Sequence, residues 1–242
     1  GLSIDRVKGL FISHEHSDHI KGAEVLSRRH DLPVYISKKT YHYSGLHIDA
    51  SRLNLIDEAE VIELGDLRVY PFTKYHDAAD PYSFTISAHG VHVGVYTDIG
   101  HVCSNLAHHF KQCHAAILEC NYDEGMLETG PYPAYLKNRI RSNHGHLSNT
   151  QAFDLLKQHG SSHLQHLSLG HLSKENNHPQ LALELFLSAE HTCRIHVASR
   201  DEASEVYKVE TSKPFEFEIP AGVLPIKGPF PESEEIQQLK LF

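Results

Sequence analysis

The stretch Val7-Lys8-Gly9-Leu10-Phe11-Ile12-Ser13-His14-Glu15-His16-Ser17-Asp18-His19 decides the fold. Its first half is an apolar run of strand length, rich in branched and aromatic residues, so a strand delivers the cluster to its carboxyl end. His14 and His16 are two apart, and while the backbone is still extended both imidazoles project to one side, where they can grip one ion together. Asp18 and His19 come as the chain turns into a helix predicted from about Ile20 to Arg29, which aims them at a neighbouring point and suits a second ion. Mixed imidazole and carboxylate donors favour zinc, manganese or iron over calcium or magnesium, and no cysteine lies near enough to suggest a thiolate site. The alternative, a polar surface turn in a chain with 22 histidines, does not account for this spacing at a strand end.

At this point the chain resembles the metallo-β-lactamase fold superfamily, whose His-x-His-x-Asp-His motif is met by His14, His16, Asp18 and His19. Four later segments resemble motifs of one branch, the YycJ-like (WalJ-like) bacterial DNA exonucleases. They are His76-Asp77-Ala78-Ala79-Asp80-Pro81, Thr97-Asp98-Ile99-Gly100-His101, Gly145-His146-Leu147-Ser148-Asn149 and Leu169-Gly170-His171-Leu172-Ser173. The resemblance runs from about Gly1 to Arg200. It implies that His14, His16 and His76 hold a first metal, that Asp18, His19 and His171 hold a second, and that Asp98 bridges them. It also implies a four-layer αββα sandwich.

Each later position also has a local argument. Val91 to Thr97 alternates like a buried strand and leaves Asp98 at its end, where loops carry chemistry. A shared carboxylate there would set the metal separation of about 3.5 to 4 Å that two-metal hydrolysis needs. His76 follows the strand-like run Leu67 to Tyr75, and His171 follows His166 to Gly170. His146 is not needed as a ligand, which leaves it as a general acid for the departing oxygen or a contact for a phosphate oxygen. Ser148-Asn149-Thr150-Gln151 caps an amphipathic helix through Ala152, Phe153, Leu155 and Leu156 that stops near Gly160. Lys137, Arg139 and Arg141 either meet phosphates or form a solvated helix face. His101 is a candidate partner of a ligand, and Glu119 and Asn121 are weaker candidates for the cleft lining.

A chain of 242 residues with 40% hydrophobic content can form one large domain. It has no apolar run of membrane length and no signal peptide, so a cytoplasmic protein without membrane contact is expected. Cys103, Cys113, Cys120 and Cys193 form no close-spaced pair and read as reduced thiols. The net charge of −9 argues against coating a nucleic acid, although two divalent ions would place about four positive charges in the cleft. Weak intrinsic affinity for DNA is expected.

The catalytic domain is read as residues 1–200 and a C-terminal extension as 201–242. Within the extension, 213–235 is broken by Pro214, Pro220, Pro225, Pro229 and Pro231 and reads as an extended arm. The last residues include Gln238, Leu239, Leu241 and Phe242, which resemble the Gln-Leu-x-Leu-Phe peptide that docks bacterial repair proteins on the sliding clamp; otherwise they would tie the terminus to the core. The chain opens at Gly1 without Met, and the sandwich is expected to lack its first strands here. The leading expectation is a two-metal phosphodiesterase, a 5′ to 3′ DNA exonuclease of repair or replication using zinc or manganese, with iron also suitable. The alternatives are a small-molecule hydrolase of the same fold acting on a lactone, thioester or cyclic phosphodiester, and a clamp-bound scaffold.

Overall fold

The computed structural model describes residues 3–58, 60–188, 190 and 192–219. Gln238, Leu239, Leu241 and Phe242 lie outside the described residues, and so does most of the proline-broken arm.

In chain order the elements are β1 (Leu10–Phe11), α1 (Ser17–Ile20), α2 (Ala23–His30), β2 (Val34–Ser37), α3 (Lys38–Ser44), β3 (Leu53–Ile56), β4 (Ile62–Leu64), β5 (Leu67–Thr73), β6 (Tyr82–Ala88), β7 (Val91–Tyr96), α4 (Ser104–Phe110), β8 (Ala115–Glu119), α5 (Glu124–Thr129), α6 (Ala134–Ile140), α7 (Asn149–His159), β9 (His166–Gly170), α8 (Pro179–Leu187) and β10 (Arg194–Val197). Strands β1, β2 and β3 form a small parallel sheet. The other seven form a sheet in the order β10-β9-β8-β7-β6-β5-β4, antiparallel from β4 to β7 and parallel from β7 to β10.

Period-two alternation along the strands builds the layers. Val34 and Ile36 face Ala23, Tyr41 and Ile48 in a cluster under α2 and α3, whereas Tyr35 turns the other way. Tyr35 stacks on Phe11 at 4.6 Å between ring centres, and Phe11 meets Phe84 of β6 edge-on at 5.4 Å. With Ile56, Val69 and Tyr82, these rings fill the space between the two sheets. On the far side, Phe72, Tyr96, Leu118, Leu167 and Leu169 pack against Leu106 and Phe110 of α4, Leu155 and Leu156 of α7, and Phe186 of α8. Each such side chain contributes roughly 1.5–3 kcal/mol on burial. The order is helix, sheet, sheet, helix: an α/β sandwich of the kind expected. The small sheet covers only part of the large one, and Ile117 on the inner face of β8 remains 39% exposed.

Over 201–219 the extension carries no helix or strand, but it packs. Phe217 is buried against Tyr70 and His109, Phe215 lies on His92 and His114, and Tyr207 stacks on His196 at 4.4 Å.

One topological point positions the site. Strands β7, β8 and β9 are parallel, and two antiparallel steps restore the same direction in β5. The carboxyl ends of all four therefore open on one edge, and the loop after β1 joins them there through Tyr82 N–H donating to Ser13 O at 2.8 Å.

Candidate metal centre

His14, His16 and His76 each present a ring nitrogen within 4.8 Å of the others, and so do the side chains of Asp18, His19 and His171 as a second group. The loop after β1 shapes both. The Ser13 hydroxyl lies 3.0 Å from Nδ1 of His14 and 3.2 Å from Nδ1 of His19, leaving both Nε2 atoms for the cleft. Nε2 of His14 then stands 3.0 Å from Nδ1 of His16. Glu15, between them in sequence, turns away and accepts from Ala79 N–H at 2.7 Å, which ties this loop to the one carrying His76. His76 donates Nδ1–H to the carbonyl of Gly145 at 3.1 Å, so its Nε2 also faces inward.

Asp98 sits between the groups. Its carboxylate is 3.8 Å from Nε2 of His76, 3.5 Å from Nε2 of His171 and 3.4 Å from Nε2 of His19. Two donors on one tetrahedral ion at 2.0–2.1 Å are separated by about 3.3 Å, so these spacings are near those of co-ligands. Asp98 and His171 are both non-glycine residues in the left-handed region, at φ 56° and 55°. Such backbone costs about 1–3 kcal/mol and gathers at functional sites.

The donor set fits divalent metal. Nε2 of His76 and Oδ2 of Asp98 are buried without a hydrogen-bond partner, an arrangement costly unless a cation completes it. Burial pushes the His14 imidazole far below its usual range, with Lys74 adding to the effect, and holds His76 down at about 3. Both rings are thereby kept neutral, as metal ligation requires. Burial alone would raise Asp98, but Lys74, His171, His76 and His14 outweigh it and hold the carboxyl well below the usual range. Burial also pushes the Lys74 ammonium down, against the pull of Asp98 and Glu119.

The residue that the sequence undervalued is Glu119, the last residue of β8 and 0% exposed. Its Oε1 accepts from Nδ1–H of His146 and from Nδ1–H of His171, each at 2.7 Å, and its Oε2 accepts from Ile99 N–H at 2.6 Å. Burial opposes the charge, but the two imidazoles win and hold Glu119 at about 2. Burial would lower both histidines as well; the carboxylate instead lifts His171 to about 9 and raises His146. His146 is thus brought into the cluster, its ring 5.2 Å from that of His76 and 5.3 Å from that of His171, with Nε2 unengaged by Glu119. Asn121 donates to the carbonyl of His171 at 2.9 Å. The expected cap of α7 is present as a full capping box of Ser148 and Gln151.

Other candidates are placed elsewhere. His101 pairs with Asn143 O at 3.0 Å and packs on Tyr75, bracing the 143 loop rather than Asp98. On α6, Arg139 pairs with Asp77 at 2.5 Å; Arg141, capping the helix, meets Glu128 at 2.8 Å; and Lys137 donates to Glu128 O at 2.6 Å, so all three are engaged locally.

A four-layer sandwich with a histidine and aspartate cluster at its strand ends defines a hydrolase of the metallo-β-lactamase fold. The chain belongs to the beta-lactamase superfamily domain family, which it matches over residues 1–167. It is 36% identical to exodeoxyribonuclease YycJ of Bacillus anthracis over 75% of this chain and 70% of that protein. It is 32% identical to exodeoxyribonuclease WalJ of Streptococcus pneumoniae over 72% of this chain and 66% of that one. Among solved structures, the metallo-β-lactamase fold protein YhfI of Bacillus subtilis superposes with a TM-score of 0.62 at 16% identity, over 81% of this chain and 76% of that one, which shows the shared fold.

Proposed function

We propose that the chain is a two-metal phosphodiesterase that degrades DNA exonucleolytically in the 5′ to 3′ direction, in repair or replication in the cytoplasm. The observation that carries this reading is the meeting of two donor groups at one buried carboxylate, Asp98, beside a histidine outside both groups. Similarity to proteins named exodeoxyribonucleases supports DNA as substrate. His14, His16 and His76 would hold one ion, Asp18, His19 and His171 the other, and Asp98 both; zinc or manganese suits these donors, and iron also does. When bound, the ions supply Lewis acidity at the phosphoryl oxygens and a nucleophile at neutral pH.

The protein's own groups do the rest. Glu119 fixes the tautomer of His146 and favours its imidazolium, which places a proton on Nε2 at the cleft for the departing oxygen. The same carboxylate orients His171, so the acid and one ligand share a support. The tail residues Gln238, Leu239, Leu241 and Phe242 would dock on a sliding clamp and raise the local concentration of DNA that the acidic surface does not attract. No described helix is long and apolar enough to cross a membrane.

The test compares the protein with Asp98→Ala on 5′-phosphorylated, 3′-labelled duplex DNA with manganese. Degradation from the 5′ end that is abolished by the substitution is expected. A folded, metal-loaded protein that releases no nucleotide but hydrolyses a lactone or thioester would replace this reading with a small-molecule hydrolase.

A further inference from the structure

We infer that Lys74 is a positioning residue for Asp98: its buried side chain anchors the strand-end loop that presents the carboxylate. The inference rests on the proposed role of Asp98 at the metal centre. Lys74 follows β5 and is only 3% exposed, an uncommon place for an ammonium, which is buried only where polar partners compensate its lost hydration. Its Nζ donates to the carbonyl of Thr97 at 2.6 Å. Thr97 is the residue immediately before Asp98, whose left-handed backbone needs support from its surroundings.

The neighbouring contacts make the anchor part of a clamp. The carbonyl of Tyr75, next to Lys74, accepts from Gly100 N–H at 2.6 Å. Ile99 N–H is held by Glu119. Two consecutive residues after β5 therefore hold both ends of the Thr97–Gly100 loop, and Glu119 holds its middle, leaving the Asp98 side chain to project between the donor groups. The Gly100 contact is between backbone groups and the Glu119 carboxylate also supports His146, so of the three the Lys74 contact alone can be removed by substitution without altering a backbone bond or the support of His146. The carboxylates of Asp98 and Glu119 are the acidic groups whose charge it feels, and an apolar side chain in the same volume would leave Thr97 O without this donor. The hydrogen bond needs only an N–H on Nζ and does not depend on the state of ionisation.

The experiment measures metal binding by Lys74→Met against the parent, by titrating the metal-free proteins with cobalt(II) and following visible absorption, with metal content determined independently. The expected result is a folded variant with one class of cobalt bound 10- to 100-fold more weakly, the range for losing a group that supports a ligand. Its cobalt spectrum is altered, and kcat for bis(p-nitrophenyl) phosphate falls while KM stays within about twofold. A folded Lys74→Met protein with the parent's isotherm and spectrum overturns the inference. If Lys74→Met does not fold, Lys74→Gln supplies the answer, because its amide returns an N–H donor for Thr97 O without the charge: restored folding is expected, and a variant as unstable as Lys74→Met overturns the inference. Failure of the parent to degrade DNA would remove the nuclease reading alone, because the cobalt isotherm does not depend on DNA cleavage.

Discussion

Replacing Glu119 by Gln changes one atom and removes one charge, yet it strikes both His146 and His171. The carboxylate accepts four hydrogen bonds: 2.7 Å from each imidazole, 2.6 Å from Ile99 N–H and 3.4 Å from Leu147 N–H. An amide has one acceptor oxygen, and its NH2 must face either the two imidazole N–H groups or the two backbone N–H groups. With the NH2 towards the backbone, two peptide N–H donors lose their acceptor; towards the imidazoles, both rings must give up the Nδ1 proton and accept instead, which reverses the tautomers that the carboxylate fixes. At about 1–3 kcal/mol for each hydrogen bond lost or reversed, Glu119→Gln should cost the metal-free protein about 2–6 kcal/mol. Urea unfolding followed by circular dichroism measures this. Competition with a chromophoric chelator should show metal affinity reduced about 10- to 100-fold, since His171 is no longer oriented. A stability change under about 0.5 kcal/mol, with the parent's metal affinity, would refute the assignment of Glu119 as their common support.

Three further outcomes follow from the same geometry. In the metal-free protein, His171 is raised to about 9, so its contribution to stability is complete below its unfolded value of 6.5 and disappears as pH rises through 9; Glu119 is depressed to about 2, so its contribution is complete above 4.5 and disappears as pH falls through 2. His14 and His76 act in the opposite sense, because below 6.5 the unfolded chain takes up protons that the buried rings do not, so melting temperature should be highest near pH 6.5 and fall on either side, and added metal, which needs neutral His171, should stabilise increasingly as pH rises towards 9. His146→Ala should lower kcat about 10²- to 10⁴-fold with metal content unchanged; a parallel loss of metal would make His146 a ligand instead. Gly145→Ala drives a Cβ into the carbonyls of Ile140 and Arg139 and should destabilise by about 1–3 kcal/mol. Because Gly145 O orients His76, thermal melts and metal analysis should shift together.

Much of the fold was legible because particular segments carry their own local logic. Strand β9 matches its expected bounds, His166 to Gly170, β7 ends one residue short of the expected Val91 to Thr97, and α7 begins at the cap read from Ser148 to Gln151. Where the match was poorer, the causes are physical. The helix expected from Ile20 to Arg29 is divided into α1 and α2 at Lys21-Gly22, where glycine weakens a helix interior. The first strand contracts to Leu10–Phe11 because only those residues find partners on β2. Helices α4, α5 and α6 have six or seven residues each, too few to display a helical period. The strands β2 and β3 are four residues long and owe their pairing to each other.

The site shows the same division. His14, His16, Asp18 and His19 announced themselves by spacing, and His76, Asp98, His146 and His171 through the family resemblance and their places after strand-like runs, whereas Glu119 is a single acid at a strand end whose partners, His146 and His171, come much later in the chain. Lys74 offered no signal, since a lysine inside the run Leu67 to Tyr75 reads as a solvent-facing strand residue until packing covers it. His101 misled for the converse reason: adjacency to Asp98 in sequence did not become contact in space.

The donor groups draw on loops that run from the segment after β1 to the one after β9, and no disulfide ties any of the four cysteines, all of them free. Ions seated there would act as a removable cross-link between segments remote in sequence. Closing such long loops in the unfolded chain carries an entropy cost that rises only slowly with length, so metal affinity and the cooperativity of folding become one quantity. Chelation would then loosen the junction between the two sheets as well as silence the chemistry, and the rate of metal loss would set the lifetime of the folded state under metal limitation.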